Sequence, residues 1–271
     1  MTAVGEHAIS VVIAAHDEAN VIERCLRSLS DGARQDELEL IVVCNGCTDR
    51  TADIARSVLP WAHVVELEEA SKARALNAGD MLATRFPRYY VDADVELTMT
   101  ALRITSGVLG DGVHHCVAPL PAYDLSGSSW LVRRFYSVHR MLYSDNGVYG
   151  LSASGRARFS RFPDLTADDQ FVLGHFSRDE KLRLANVAYT LRPPRDVRSL
   201  LRIRMRAYAG SRELKDTGGV ISHHRRWRAL CRATFFHPVS VLSWLMINNI
   251  ARVRLAFSRT IAWERDHSSR T

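Results

Sequence analysis

Asp92 and Asp94 flank one small residue, Ala93, at the end of the apolar run Tyr90-Val91. In an extended segment, side chains two apart point the same way. Two acids on one face repel unless a cation lies between them. Hard oxygen donors of this kind suit Mg²⁺ or Mn²⁺, ions that also take phosphate oxygens. A second acidic pair, Asp168-Asp169, precedes the stretch Gln170-Phe-Val-Leu173. A helix beginning near Thr166 holds both in its first turn, where they either complement the helix dipole or supply a general base. Lys72 and Arg74 fall at a predicted helix start, where backbone N–H groups and the dipole also favour anions. Arg202, Arg204 and Arg206 form a run that does not share one helix face, so at least one is expected to point to solvent.

The elements that must position these residues alternate. Ile9-Ser-Val-Val-Ile-Ala14 is a continuous apolar run, as in a strand buried on both faces. Val21, Ile22, Cys25, Leu26 and Leu29 follow at helical spacing. Strands are predicted over 38–43, 63–67 and 88–91, with helices over about 49–58 and 71–84. Strands separated by helical segments of this length read as βαβ units in a parallel sheet, whose ligands bind beyond the carboxyl ends of the strands. The residues to watch are therefore 16–20, 44–49, 68–72 and 92–94. In the second half the spacing predicts a strand over 113–119, a helix over about 129–143, a loop over 146–156 and a strand over 182–191. From Arg195 the patterns are helical and Arg-rich.

The chain has 271 residues with 46% apolar and 24% charged, the range of a globular protein. Residues 201–271 hold 14 Lys/Arg against 4 Asp/Glu, whereas the rest carries 22 against 26. A basic block on a slightly acidic body points to an anionic partner for that block, such as substrate phosphates or an acidic membrane surface. Five cysteines without regular spacing argue against a disulfide framework. Cys44-Asn-Gly-Cys47 has CxxC spacing, but no second ligand pair for zinc lies nearby in the sequence. No signal peptide or membrane span is predicted, so the expected location is cytoplasmic.

Five ordered motifs resemble the family 2 glycosyltransferases of the GT-A fold. Ile9-Ser-Val-Val-Ile-Ala-Ala-His-Asp-Glu18 resembles their opening strand and its Pro-x-Tyr-Asn-Glu end. Val42-Val-Cys-Asn-Gly-Cys-Thr-Asp-Arg-Thr51 resembles their Asp-Asp-Gly-Ser-Thr-Asp-x-Thr turn. Ser71-Lys-Ala-Arg-Ala-Leu-Asn-Ala-Gly79 resembles their Gly-Lys-x-x-Ala-Leu-Asn-x-Gly helix. Val91-Asp-Ala-Asp94 resembles their metal motif, and Ala167-Asp-Asp169 the acidic pair containing the catalytic base. The chain departs from the family with Ala14 for Pro, His16 for Tyr, Cys44-Asn45 for the acidic pair, and Ser71 for Gly.

The resemblance implies an α/β fold, a Rossmann-like, mostly parallel sheet with helices on both faces and a C-terminal helical appendage. Residues 1–194 would form the catalytic domain, with a nucleotide-binding half over 1–97 and an acceptor half over 98–194, followed by a basic helical region over 195–271. It implies that Ala14, His16, Glu18, Asn45, Lys72, Asp92, Ala93 and Arg204 bind the nucleotide sugar. Asn45 offers both a donor and an acceptor to a pyrimidine edge. Arg204, or a neighbouring arginine, suits bidentate phosphate contact. Asp94 would ligate Mn²⁺ or Mg²⁺, and Asp169, by motif register over Asp168, would be the general base. The loop around 147–154 would border the acceptor.

The implied reaction is inverting transfer of a sugar from a nucleoside diphosphate, with a UDP-sugar favoured, to a hydroxyl acceptor that is lipid- or polysaccharide-linked or a smaller molecule. Rival readings are a non-catalytic nucleotide-sugar-binding protein on the same fold and a sugar-phosphate nucleotidyltransferase. The latter's Gly-rich loop is missing after the first strand, where Ala15-His-Asp-Glu-Ala-Asn20 stands. Nucleic acid is not expected as a partner. The C-terminal helices are expected to lie on an anionic membrane surface, pack on the catalytic domain or form a homodimer.

Overall fold

The computed structural model describes residues 8–34, 36–142, 147–216 and 226–257, with no side chains described for 226–229. The remaining stretches, including part of the basic block and the Trp227 side chain, lie outside the described residues. The elements run β1 (Ile9–Ala15), α1 (Ile22–Ser30), β2 (Leu38–Asn45), α2 (Thr51–Val58), β3 (His63–Leu67), α3 (Lys72–Leu82), β4 (Arg88–Asp92), α4 (Met99–Leu109), β5 (Cys116–Tyr123) and α5 (Trp130–Leu142). They continue as β6 (Val148–Leu151), α6 (Ala153–Arg156), α7 (Asp168–Gly174), β7 (Lys181–Leu191), α8 (Val197–Asp216), α9 (Arg226–Phe236) and α10 (Pro238–Phe257). The chain divides into two compact units, Met1–Ala122 with Asn146–Leu191, and Tyr123–Asp145 with Arg192–Thr271.

The first unit is a seven-stranded sheet in the order β3-β2-β1-β4-β6-β5-β7. The pairs β2–β3, β1–β2 and β1–β4 are parallel, while β4–β6 and β6–β5 are antiparallel. The sheet is therefore α/β and mixed, with its parallel part in the first half of the chain. Side-chain alternation splits the central strands between two layers. Val11, Ile13, Leu40 and Val42 pack with Ile22, Leu26 and Leu29 of α1. Val12, Ile41 and Val43 pack on the other face with Ala73, Ala75 and Leu76 of α3. Covered on both faces, these strands read as unbroken apolar runs. Helix α3 lies so close to the sheet that a Cβ on Gly79 would meet Val12 Cγ1 at 2.4 Å.

The segment 146–156 differs from the expected loop. Val148–Leu151 forms β6, inserted between β4 and β5, and Ala153–Arg156 forms α6. Pairing makes this strand: Tyr149 stands opposite Tyr90, and Val148 opposite Val91. Asp80 of α3 locks the surroundings by accepting from Arg88 Nη1 (2.5 Å), Arg156 Nη2 (2.7 Å) and the Tyr90 hydroxyl.

The second unit is helical. Val132, Phe135 and Val138 of α5 pack with Leu200 and Leu201 of α8 and with Val241, Trp244, Ile247 and Ala251 of α10. The opposite side of α10 is also apolar. Val239, Leu242, Met246, Ile250, Val253 and Phe257 are exposed on it, at the three- and four-residue spacing of one helix face. Among the described residues, no helix is long and apolar enough to cross a membrane.

Candidate active site

The parallel register brings three strand ends together, since Ala14 of β1 pairs with Val43 of β2 on one side and Asp92 of β4 on the other. The loops after β1 and β2 are then sewn to each other. Asn45 Nδ2 donates to the Ala15 carbonyl (2.8 Å), and His16 Nδ1–H donates to the Asn45 carbonyl (2.5 Å). Asp17 Oδ1 accepts from the Thr48 N–H (2.6 Å), Glu18 N–H donates to Thr51 Oγ1 (2.7 Å), and Asp49 Oδ2 accepts from Ala19 N–H (3.1 Å). Gly46 makes the turn at φ +56°, where a Cβ would lie 2.7 Å from the Ala70 backbone nitrogen, so glycine is required both for conformation and for space. Asn45 is buried. One N–H of its amide is engaged with Ala15, which leaves the second N–H and Oδ1 as its remaining hydrogen-bonding capacity.

Ser71 caps α3, its Oγ accepting from Arg74 N–H at 3.2 Å, and this sets Lys72 in the first turn. Lys72 Nζ lies 2.9 Å from Asp92 Oδ1 and 2.9 Å from Asp168 Oδ1. The Asp168 side chain is 5% exposed, that of Asp92 41%. Burial works against the Lys72 charge, but the Asp168 and Asp92 carboxylates outweigh it and hold the ammonium above its ordinary pKa. Burial pushes the Asp168 carboxyl up, against the pull of Lys72. Arg74 points outward to an ion pair with Glu69. Asn77, one turn further along α3, clasps the main chain of Phe162: Nδ2 donates to its carbonyl and Oδ1 accepts from its N–H, each at 2.9 Å. That clasp holds the segment leading into α7.

Helix α7 starts at Asp168 rather than near Thr166, so Asp168 and Asp169 are its first two residues. Asp168 faces Lys72, and Asp169 beside it is half-buried. Asp94 is not on the strand, because β4 ends at Asp92 and the Val95 N–H turns back to the Asp92 carbonyl at 3.2 Å. Ala93 between them is buried. Asp94, Glu18 and Asp92 all bear on the Cys25 thiol, which burial first and these carboxylates next push above its ordinary pKa. Arg204 lies in the second unit, buried on α8, with Nε 3.1 Å from Asn248 Oδ1. Arg202 and Arg206 on the same helix are half-buried.

Two further residues border the site. Tyr149 on β6 is 4% exposed, stacks on Tyr90, and its hydroxyl makes no hydrogen bond among the described residues. Burial raises its pKa, and the charges of Asp168, Tyr90, Asp169 and Asp92 add to the rise. A Cβ on Gly147 would come 3.4 Å from Asp92 Oδ2. The signal for Tyr149 was the short apolar run Val148-Tyr-Gly-Leu151, too brief to declare a strand without its partners. The two thiols of the CxxC segment share a hydrogen bond that holds Cys47 down to about 7 and pushes Cys44 up.

The donor set fits a hard divalent cation. Asp92 and Asp168 each present a carboxylate oxygen 2.9 Å from Lys72 Nζ, and Asp94 follows two residues after Asp92, just past the end of β4. Asp94 would supply the protein ligand, and diphosphate oxygens and water the rest, which is how Mg²⁺ is usually held beside phosphates.

The family model for glycosyl transferase family 2 matches residues 10–161, more than half of the chain, and the protein belongs to that family. It is accordingly a glycosyltransferase. No match was found among curated protein sequences. Among solved structures, a mannosyltransferase from Pyrobaculum calidifontis in complex with GDP-Man and Mn²⁺ superposes with TM-score 0.63 at 20% identity, over 94% of this chain and 76% of that one. Glucosyl-3-phosphoglycerate synthase from Mycobacterium tuberculosis, in complex with Mn²⁺, UDP and glucosyl-3-phosphoglycerate, superposes with TM-score 0.56 at 20% identity, over 80% and 82%. The same enzyme with Mn²⁺, UDP-Glc and phosphoglyceric acid gives 0.57 at 21%. At these identities the likeness is one of fold, and the fold is GT-A.

Proposed function

We propose that the protein transfers a sugar from a nucleoside diphosphate, with a UDP-sugar favoured, to a hydroxyl acceptor with inversion of the anomeric carbon. Carrying the proposal is Lys72, which ties Asp92 at the donor end of β4 to Asp168 at the head of α7. In this reading Ala14, His16, Glu18, Asn45 and Ala93 line the nucleotide, and Asp92 bonds the ribose. Lys72 orients Asp92 and adds positive charge near the diphosphate. Asp169, the base by motif register, takes the acceptor proton as the hydroxyl attacks, while Asp168 pairs with Lys72. Mn²⁺ or Mg²⁺ bound through Asp94 supplies Lewis-acid stabilisation of the departing diphosphate. Tyr149 and Gly147 border the space in which the two substrates meet. The structures of similar fold hold GDP-Man in one case and UDP-Glc in another, so the choice of base rests on Asn45.

The test is binding and slow hydrolysis of a panel of nucleotide sugars, with and without Mn²⁺ or Mg²⁺, by the wild type and Asp94→Ala. Metal-dependent nucleotide release, lost in the variant, supports the proposal and names the donor. Folded protein that binds no nucleotide sugar with metal present would overturn it in favour of a protein that no longer binds donors.

We further propose that the exposed apolar stripe of α10 lies on an anionic bilayer, where a lipid-linked acceptor resides. Arg254 stands beside that stripe, and a basic residue flanking an exposed apolar helix face suits an acidic surface. Flotation with vesicles of anionic and of neutral lipid at low salt tests this. Co-flotation with the anionic vesicles supports it, while no binding together with a dimer in solution would assign the stripe to a second copy.

A further inference from the structure

His16, Asp17 and Cys47 lie in the loops that follow β1 and β2, next to Glu18 and Asn45, and differ from the active-site carboxylates in their donor atoms. They are separated by a whole strand–helix–strand crossover, yet β1 and β2 are parallel neighbours and deliver them to the same spot. One ligand atom of each, a ring nitrogen, a carboxylate oxygen and a sulfur, lies within 4.8 Å of the other two, and all three residues are half-buried. No second ligand pair for the CxxC segment appears nearby in the sequence; in space, His16 and Asp17 supply it.

The surrounding bonds set each ligand in the state a metal needs. A carbonyl can only accept, so the bond from His16 Nδ1 to the Asn45 carbonyl places the ring proton on Nδ1. Nε2 then carries the lone pair, and it lies 3.9 Å from Asp17 Oδ2. The other carboxylate oxygen, Oδ1, is held by the Thr48 N–H (2.6 Å) and by Thr48 Oγ1 (3.2 Å). Cys47 Sγ accepts the Asp17 N–H at 3.4 Å and donates to the Ala15 carbonyl at 3.6 Å. Outer bonds of this kind, from a ring N–H to a carbonyl and from donors to the far carboxylate oxygen, are what orient ligands at metal centres. Asp17 also adopts φ +50°, an uncommon left-handed conformation for a residue with a side chain.

We propose that His16 Nε2, Asp17 Oδ2 and Cys47 Sγ form a second metal site, selective for a borderline-soft divalent ion of the Zn²⁺ or Co²⁺ type. A nitrogen, a sulfur and a single carboxylate are the donors Zn²⁺ takes, and three of them leave a fourth tetrahedral position open. Mg²⁺ and Mn²⁺ prefer an all-oxygen shell, so the two sites sort their ions by donor chemistry. On binding, the thiol proton now directed at the Ala15 carbonyl leaves to solvent, and the sulfur ligates as thiolate.

Reduced full-length protein titrated with Co²⁺ provides the test. Thiolate-to-cobalt charge transfer is expected in the near ultraviolet, with intense visible bands of four-coordinate geometry, saturating at one ion per chain and displaced by Zn²⁺. The near-ultraviolet band should vanish in Cys47→Ser. Affinity should fall at least tenfold in His16→Asn and Asp17→Asn, and all signals should persist in Asp94→Ala and Cys44→Ser. Circular dichroism and the Tm of each variant identify any that fail to fold, and the Asp94→Ala and Cys44→Ser arms remain informative without them. A spectrum lacking charge transfer, a band that survives Cys47→Ser, or one abolished by Cys44→Ser or Asp94→Ala would overturn the proposal.

Discussion

Lys72 at the start of α3 and Asp168 at the start of α7 face each other across 2.9 Å, and the pair is the buried junction of the candidate site. Removing one partner leaves the other charge buried and unbalanced. Lys72→Met is therefore expected to lower stability by about 3 kcal/mol at neutral pH. The deficit relative to wild type should shrink as pH falls, because Asp168 then takes up a proton, and burial already raises its pKa. Urea unfolding of both proteins between pH 5 and pH 8 measures this; a deficit that does not change with pH would mean that Asp168 is not the group left behind.

The two adjacent acids of α7 should separate by phenotype. Asp169→Asn keeps the Lys72 pair and is expected to reduce sugar transfer by about 10²- to 10⁴-fold, the usual worth of a general base, with donor affinity unchanged. Asp168→Asn disturbs the Lys72 ammonium and should weaken donor binding and stability together. Single-turnover assays with calorimetric donor titrations distinguish the two. Equal loss of donor affinity in both variants would remove Asp169 from the role of base.

Tyr149 offers a sharper probe, because its hydroxyl is buried and has no hydrogen-bond partner among the described residues. Deleting an unsatisfied buried hydroxyl is neutral or stabilising. Tyr149→Phe should thus leave the Tm unchanged or raise it, yet lower turnover by about tenfold, or about 1.4 kcal/mol of activation energy, because the substrate completes that hydrogen bond. Full activity would show that no substrate group reaches it.

Glu37 controls the acid end of the stability profile. Arg103 donates through Nε and Nη2 at 2.7 Å each, and the Arg34 N–H adds a bond of 3.0 Å. The bonds to Arg103 hold the Glu37 carboxyl down to about 2, from 4.5. A carboxyl with its folded pKa depressed gives stability that is present above the unfolded value and lost as pH falls through the folded one. Glu37→Gln should therefore be less stable than wild type by about 2 kcal/mol at pH 6, with the gap closing between about pH 4.5 and pH 2. Chemical denaturation across that range follows it, and a gap that stays constant down to pH 2 would contradict the pairing.

The parallel half of the sheet was legible because its strands are covered on both faces. Val11, Val12 and Ile13 are fully buried, so the run carries no polar interruption to confuse it with a surface segment. Helix α3 was equally plain, and the structure adds Ser71 as its cap and Asn77 bonded back to the Phe162 main chain. β6 was missed because four residues carry little periodicity of their own, and partner strands decide their state. The extended-strand reading of Asp92 and Asp94 failed at the last step, since a turn intervenes after Asp92. What joins Lys72 to Asp168, or His16 to Cys47, is strand order, and a linear pattern does not contain it.

The insertion of β6 between β4 and β5 has a consequence for how the chain is made. Strands β1 to β4 are complete once residue 92 has been synthesised, and they pair among themselves in parallel. The outer edge of β4 has no partner until Val148–Leu151 has followed. An unpaired, hydrophobic strand edge is a template for other chains. On the ribosome, the nascent donor-binding half therefore carries an open edge for the time needed to add more than fifty residues, a few seconds to about ten at the ordinary 5–20 residues per second. The time for which that edge stays open during synthesis is written into the strand order.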